Sequence, residues 1–192
     1  MSKNQGLSFY RRKKKWNPAI IKEVFSWIAG IFVALFLAAV LNYFFGLRIG
    51  MVGVSMEPVL INEQTVLVDR FIYSLSTPKH GDVVVFLPNG NKNSHYYVKR
   101  VVAVPGDCVQ IIGGELFVND ERSEWMSERI SDAGIAENEL TLAFGEYFCV
   151  GDNPNNSEDS RSANIGPISE GDIVGKAWFK LSKGEDKMGL LK

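Results

Sequence analysis

The chain has 192 residues, 46% of them hydrophobic, and a formal net charge of -1. That length bounds it to one ordinary domain with additions, and that composition is enough for a hydrophobic core. The near-zero charge hides an asymmetry: residues 1–22 hold seven basic and no acidic side chains, which leaves 14 basic against 22 acidic groups in the rest, a net of -8. The basic block directly precedes an apolar stretch, so it reads as a cytoplasmic flank and not as a nucleic-acid-binding tail.

From Val24 to Leu47 there is no charged residue over 24 positions. A helix of that length reaches about 36 Å, enough for a hydrocarbon core of about 30 Å. A cleavable signal peptide needs an apolar run of only about 7–15 residues. Trp27, Tyr43, Phe44 and Phe45 stand near the two ends, as interfacial aromatics do. Charge bias sets the N-terminal end in the cytoplasm and the remainder outside. The predicted organisation is a basic cytoplasmic segment (1–22), a transmembrane helix (23–47), an extracytoplasmic β-rich domain (48–182) and a loose C-terminal tail (183–192).

Seven short runs rich in β-branched or aromatic residues predict strands: 65–68, 83–86, 98–104, 109–112, 116–118, 147–150 and 177–179. Turn signals separate them, among them Gly81-Asp82, Pro105-Gly106-Asp107, Gly113-Gly114 and Gly151-Asp152-Asn153-Pro154. No βαβ rhythm is present, and the spacing suits a compact sheet closed on itself. Residues 119–145 are polar and irregular, and read as an exposed insertion with a helical turn near Ser127–Ile130. Cys108 and Cys149 can pair outside the cytoplasm, yet both sit in apolar strand-like runs, which favours free thiols.

Chemistry concentrates in three segments. Ser55 lies between a glycine-containing turn and Pro58, where small residues admit a substrate backbone. Lys99 lies in an apolar strand, where an unpaired amine loses its charge and becomes a base. Tyr97, Val101 and Ala103 share its face, while Val98, Val102 and Val104 share that of Arg100, so alternation does not decide which cation is buried. The third segment, 151–162, is dense in Asp, Asn and Ser and offers carboxylates to Arg100 and Arg161. His80 and His95 lack ligand spacing with the cysteines, so no metal or other cofactor is expected. A serine–histidine arrangement using His95 stays open at this stage, since such triads are recognised by geometry and not by sequence position.

Together these segments resemble the type I signal peptidases. Gly53-Val54-Ser55-Met56-Glu57-Pro58 matches that family's serine segment, Tyr97 to Asp107 its lysine segment, and Gly151 to Arg161 its third; Gly81-Asp82-Val83-Val84-Val85 adds a shorter match. The resemblance implies a mainly β, LexA-like catalytic domain behind one N-terminal membrane helix, acting as a monomer on signal-peptide-bearing preproteins. It implies Ser55 as nucleophile, Lys99 as base, and an oxyanion hole at the Ser55 amide. Family members that carry a serine two residues earlier use its hydroxyl as a further donor; here that position is Gly53. Ser157 would orient Lys99, and Arg100, Asp152, Asp159 and Arg161 would support the site. Met51, Tyr97 and Val98 would line pockets for small side chains. Pro154, Asn155, His80 and Asn164 depart from the family's usual Arg, Asp, Arg and Gly. Two other readings are a self-cleaving repressor of similar fold, against which the membrane span argues, and a non-catalytic pilus-assembly relative, against which Lys99 argues.

Overall fold

The structure is a computed structural model that describes residues 17–45, 47–126 and 128–191. Lys3 and the block Arg11–Lys15, on which the cytoplasmic assignment rests, lie outside the described residues. The chain divides into two compact units, with the boundary inside the apolar helix, after Val40.

Helix α1 runs from Pro18 to Phe45, 28 residues, and is long and apolar enough to cross a membrane. It begins five residues before the expected 23. The reason is local: the Asn17 side chain accepts a hydrogen bond from the Ala19 amide (3.1 Å), and Pro18 at the first helical position lacks an N–H that would need a partner.

Among the described residues the β-rich body has twelve strands: β1 (Leu47–Gly50), β2 (Thr65–Asp69), β3 (Val83–Phe86), β4 (Tyr97–Ala103), β5 (Cys108–Ile112), β6 (Glu115–Val118), β7 (Glu121–Arg122), β8 (Leu140–Thr141), β9 (Glu146–Val150), β10 (Ile168–Ser169), β11 (Ile173–Lys180) and β12 (Gly189–Leu190). All seven predicted strands are present. The large sheet runs β1-β2-β11-β3-β4-β9-β10, with β12 beside β11; the small one runs β7-β6-β5-β8. Every pairing is antiparallel. The expected β architecture is therefore found. Its large sheet has two ends, β1 and β10, rather than a closed ring of hydrogen bonds.

Two regions differ from expectation. Residues 119–145 are no mere exposed insertion: Met126, Ile130, Ala136 and Leu142 are buried in a cluster with Val109, Leu116 and Phe148. Ser127 lies outside the described residues; 128–130 are not helical, and the helical turn falls at Gly134–Glu137. The tail is not loose either. β12 pairs with β11, and Leu191 joins a core of Met51, Met56, Leu60, Val66 and Val85. Apolar contacts scattered without a period of 2 or 3.6 leave no amphipathic signature to read. Both cysteines are free.

Phe148 is fully buried between these elements, whereas Ile112 is 56% exposed. Phe148→Ala is expected to cost about 3–5 kcal/mol through the cavity it leaves, and Ile112→Ala no more than about 0.5 kcal/mol. Denaturant unfolding of the detergent-solubilised protein measures both; equal losses would contradict this placement of the core.

Candidate active site

Antiparallel register brings the three segments together. β4 is flanked by β3 along Tyr97–Arg100 and by β9 from Arg100 onward. Strand alternation sends Lys99 and Arg100 to opposite faces. Both faces are covered, so both cations are buried, at 4% and 3% exposure.

Lys99 Nζ lies 2.7 Å from Ser55 Oγ, across 44 sequence positions. Ser55 is itself 9% exposed. Desolvation disfavours the charged amine and pulls its pKa from 10.5 down to about 8, partly offset by the carboxylate of Asp159; Arg161 lowers it further, and Glu158 and Asp152 oppose. The Tyr97 ring stands 5.7 Å from the amine. A neutral amine at this distance can accept the serine proton. Among the described residues the Ser55 amide has no hydrogen-bond partner, so it can donate to a developing negative charge.

Gly53 sits at φ +88, in the left-handed region that disfavours a side chain. Its amide already donates to Asn62 Oδ1 (2.8 Å). Gly53 thus orients the loop and does not offer a second anion donor. From the other side, the Asn153 amide donates to the Ser55 carbonyl (3.0 Å), and Asn153 Nδ2 to the Val54 carbonyl (3.2 Å).

Two arginine–aspartate pairs support this arrangement. Arg100 meets Asp152 through two bonds (2.6 and 2.8 Å), donates to the Gly81 carbonyl (2.7 Å) and lies 5.3 Å from the Trp125 ring. Arg161 meets Asp159 through two bonds (2.8 and 3.0 Å) and donates to the carbonyls of Asp132 and Pro154. Asp159 is 1% exposed and also accepts from the Gly151 amide (3.1 Å) and the Ser157 hydroxyl (2.6 Å). Ser157, expected to orient Lys99, donates its hydroxyl hydrogen bond to Asp159, the carboxylate that most favours the charged amine.

The departures are accommodated. Asn155 accepts from the Ser131 amide and hydroxyl and donates to the Arg129 carbonyl, so it ties down the loop without a charge. His80 Nε2 bonds Asp107 (2.7 Å), and the Asn164 carbonyl accepts from Asn89. Among the described residues no three His, Cys, Asp or Glu side chains gather as metal ligands.

A groove of about 290 Å³ opens on this pair, walled by residues 50–55 on one side and 95–99 on the other, with Asn156 and Glu158 at its margin. Met51, Tyr97 and Val98 all line it. His95 lines it as well, but the base beside Ser55 is Lys99. Sequence reasoning missed Asn62, Asn153 and Glu158, whose carboxylate accepts from the Tyr97 hydroxyl (3.2 Å). Asn153 was visible only as a turn residue; Asn62 had the weaker signal of a polar pair, Asn62-Glu63, before a strand.

Gly151 has no room for a side chain, since an added Cβ would strike Ser157 and the Ser55 carbonyl. Gly151→Ala is expected to displace the serine and cut activity about a hundredfold or more, read as turnover against wild type. The buried amine also has a stability signature. Below about 8 it is charged in both folded and unfolded chains, and the full desolvation penalty weighs on the fold. As pH rises from about 8 to 10.5 only the unfolded chain still holds the proton, and the penalty fades. Relative to Lys99→Met, the wild type should gain about 3 kcal/mol across that window; parallel stability curves for the two proteins would refute the burial.

The family model described as "Signal peptidase, peptidase S26" matches residues 24–182. Signal peptidase I P from Bacillus subtilis subsp. natto is 35% identical over 80% of this chain and 86% of its own. Signal peptidase IB from Staphylococcus aureus is 32% identical over 83% and 90%. A crystal structure of a signal peptidase I from Enterococcus faecalis is 22% identical and covers 53% of this chain and 97% of its own, at a TM-score of 0.40. With strands β1 to β11 inside the matched region, this chain belongs to the signal peptidase family, peptidase S26.

Proposed function

We propose that this protein is a membrane-anchored serine endopeptidase that removes signal peptides from secreted preproteins, with Ser55 as nucleophile and Lys99 as general base. The observation that carries this reading is a buried amine with lowered pKa, 2.7 Å from a serine hydroxyl at the floor of an open groove.

Neutral Lys99 takes the Ser55 proton as Oγ attacks the scissile carbonyl. The Ser55 amide stabilises the oxyanion. The protonated amine then gives its proton to the leaving nitrogen as the C–N bond breaks. A water, deprotonated in turn by Lys99, attacks the acyl-serine ester; collapse frees the new carboxylate, and Ser55 regains its proton. Arg100, Asp152, Asp159, Arg161 and Ser157 hold this geometry.

The peptide binds by strand addition. β1 ends the large sheet and has one unpaired edge, and Tyr97–Lys99 pair with β3 on one side only. Both free edges border the groove, so an extended peptide can bond its backbone to both walls. Met51, Tyr97 and Val98 then check side chains at alternate positions, admitting small ones. Helix α1 anchors the enzyme in the bilayer that holds the substrate's own apolar segment, with the basic N-terminus inside and the β-rich domain outside.

Ser55→Ala and Lys99→Ala are each expected to lower preprotein cleavage by at least about a thousandfold. A Ser55→Ala protein that still cuts would sink the mechanism. The wild-type rate should rise with pH through about 8 as Lys99 loses its proton. Glu158 favours the charged amine, so Glu158→Gln should move that rise toward lower pH; a shift toward higher pH, or none, would contradict its proximity to Lys99.

A further inference from the structure

The loop ahead of Ser55 has little side-chain packing to hold it. Val52 is 83% exposed and Val54 40%. Gly53 has no side chain, and a Cβ placed there would meet no atom within 4 Å. Packing therefore does not fix this stretch; hydrogen bonds must. On its far side the Asn153 side chain and amide hold Val54 and Ser55. On its near side stands Asn62, whose Oδ1 accepts from the Gly53 amide, two residues before the serine.

Asn62 belongs to a turn, residues 59–64, gripped by the C-terminal segment. Lys183 Nζ donates to the Asn62 carbonyl (2.8 Å) and to Glu63 Oε2 (2.7 Å). Lys180 Nζ donates to the Val59 carbonyl (3.0 Å) and to Asp186. Fully buried Gln64 donates to the Leu181 carbonyl (2.9 Å) and Asp186 Oδ2 (2.6 Å), and accepts from the Ile61 amide. The turn in turn bonds the serine loop at Met51, whose amide donates to the Gln64 carbonyl and whose carbonyl accepts from the Glu63 amide, both at 2.8 Å. Residues 183–191, which form the outer part of this grip, lie beyond the region matched by the family model.

We propose that Asn62 is a positioning residue for the serine loop, and that the C-terminal segment acts as a strap that holds Asn62 in register through Lys183. The idea rests on Ser55 being the nucleophile. Its mechanism is geometric: without an acceptor at Asn62 the Gly53 peptide is free to turn, and the serine oxygen and amide no longer face one carbonyl together. Burial of Lys99 does not depend on this bond.

The test uses the full chain in detergent and a serine-directed acylating inhibitor, with the acylation rate constant taken per active site. Asn62→Leu keeps the approximate size and removes the acceptor; Asn62→Asp keeps an acceptor oxygen. Acylation should slow roughly ten- to hundredfold in Asn62→Leu and return toward wild type in Asn62→Asp. The pH of half-maximal rate should stay near that of wild type in both, and hydrogen exchange at residues 51–55 should speed up only in the leucine variant. The Lys183 side chain is 35% exposed and belongs to no core cluster, so Lys183→Met is expected to keep the fold and to slow acylation by a smaller factor. Wild-type rates in Asn62→Leu, or equal losses in the leucine and aspartate variants, overturn the positioning role. An unchanged rate in Lys183→Met overturns the strap. Ser55→Ala run alongside separates the two levels: if it still reacts, the nucleophile assignment itself fails; if it is inert while Asn62→Leu is normal, only the present inference fails.

Discussion

Everything in this site depends on keeping one amine out of water next to one hydroxyl. An exposed lysine near its ordinary pKa of 10.5 is charged at neutral pH and cannot take a proton. Burial lowers that value to about 8, but carboxylates nearby work against it. Three acidic residues, Asp152, Glu158 and Asp159, all favour the charged form. The body of the site limits their effect. Asp159 is neutralised by Arg161 and accepts from Gly151 and Ser157 as well, and Asp152 is neutralised by Arg100. The arginines thus let the third segment be polar enough to shape a loop while Lys99 still gives up its proton more readily than an exposed lysine. In the proposed mechanism they never touch substrate.

That arrangement carries its own cost, since buried ion pairs are seldom net stabilising. Here the cost is offset locally by complete hydrogen bonding. Arg161 reaches the carbonyls of Asp132, Pro154 and Ser157 besides its partner, and Arg100 reaches Gly81 while lying against Trp125. This explains a use for the segment between β7 and β8. It supplies Trp125 against Arg100, the Asp132 carbonyl for Arg161, and Ser131 and Arg129 for Asn155. The small sheet and its connections are a buttress for charges that the large sheet cannot solvate.

How much of this was legible in the sequence follows from which forces leave a periodic trace. Strands of four or more residues rich in Val, Ile or Phe were readable from β2 to β11, as was the apolar helix. β1, with Arg48 and Gly50 among its four residues, and the two-residue strands β7, β8, β10 and β12 carried too little pattern to be seen. Ser55 and Lys99 were found because their flanks resemble a known family; alternation alone gave a tie between Lys99 and Arg100, since β4 is buried on both faces. Partners set by three-dimensional closure were the least accessible. Ser157 goes to Asp159, and nothing in the spacing of Asn62 or Lys183 announces a bond 121 positions long.

An open sheet edge is usually a hazard, because its unpaired amides and carbonyls invite another strand. This fold brings two such edges to the groove beside the reactive pair, and in the proposed function that hazard becomes the binding device. Backbone pairing is indifferent to side chains, so it gives affinity without sequence preference. Discrimination must then come from the walls, residues 50–55 and 95–99, which border an open groove of about 290 Å³. In the proposed function those walls are held by pairing with β2 and β3, so the side chains they present to a peptide are fixed by the sheet. Under that proposal, recognition by main chain and selection by side chain come from the same two walls, and they suit an enzyme whose proposed substrates share a small-residue cleavage site but little else in sequence.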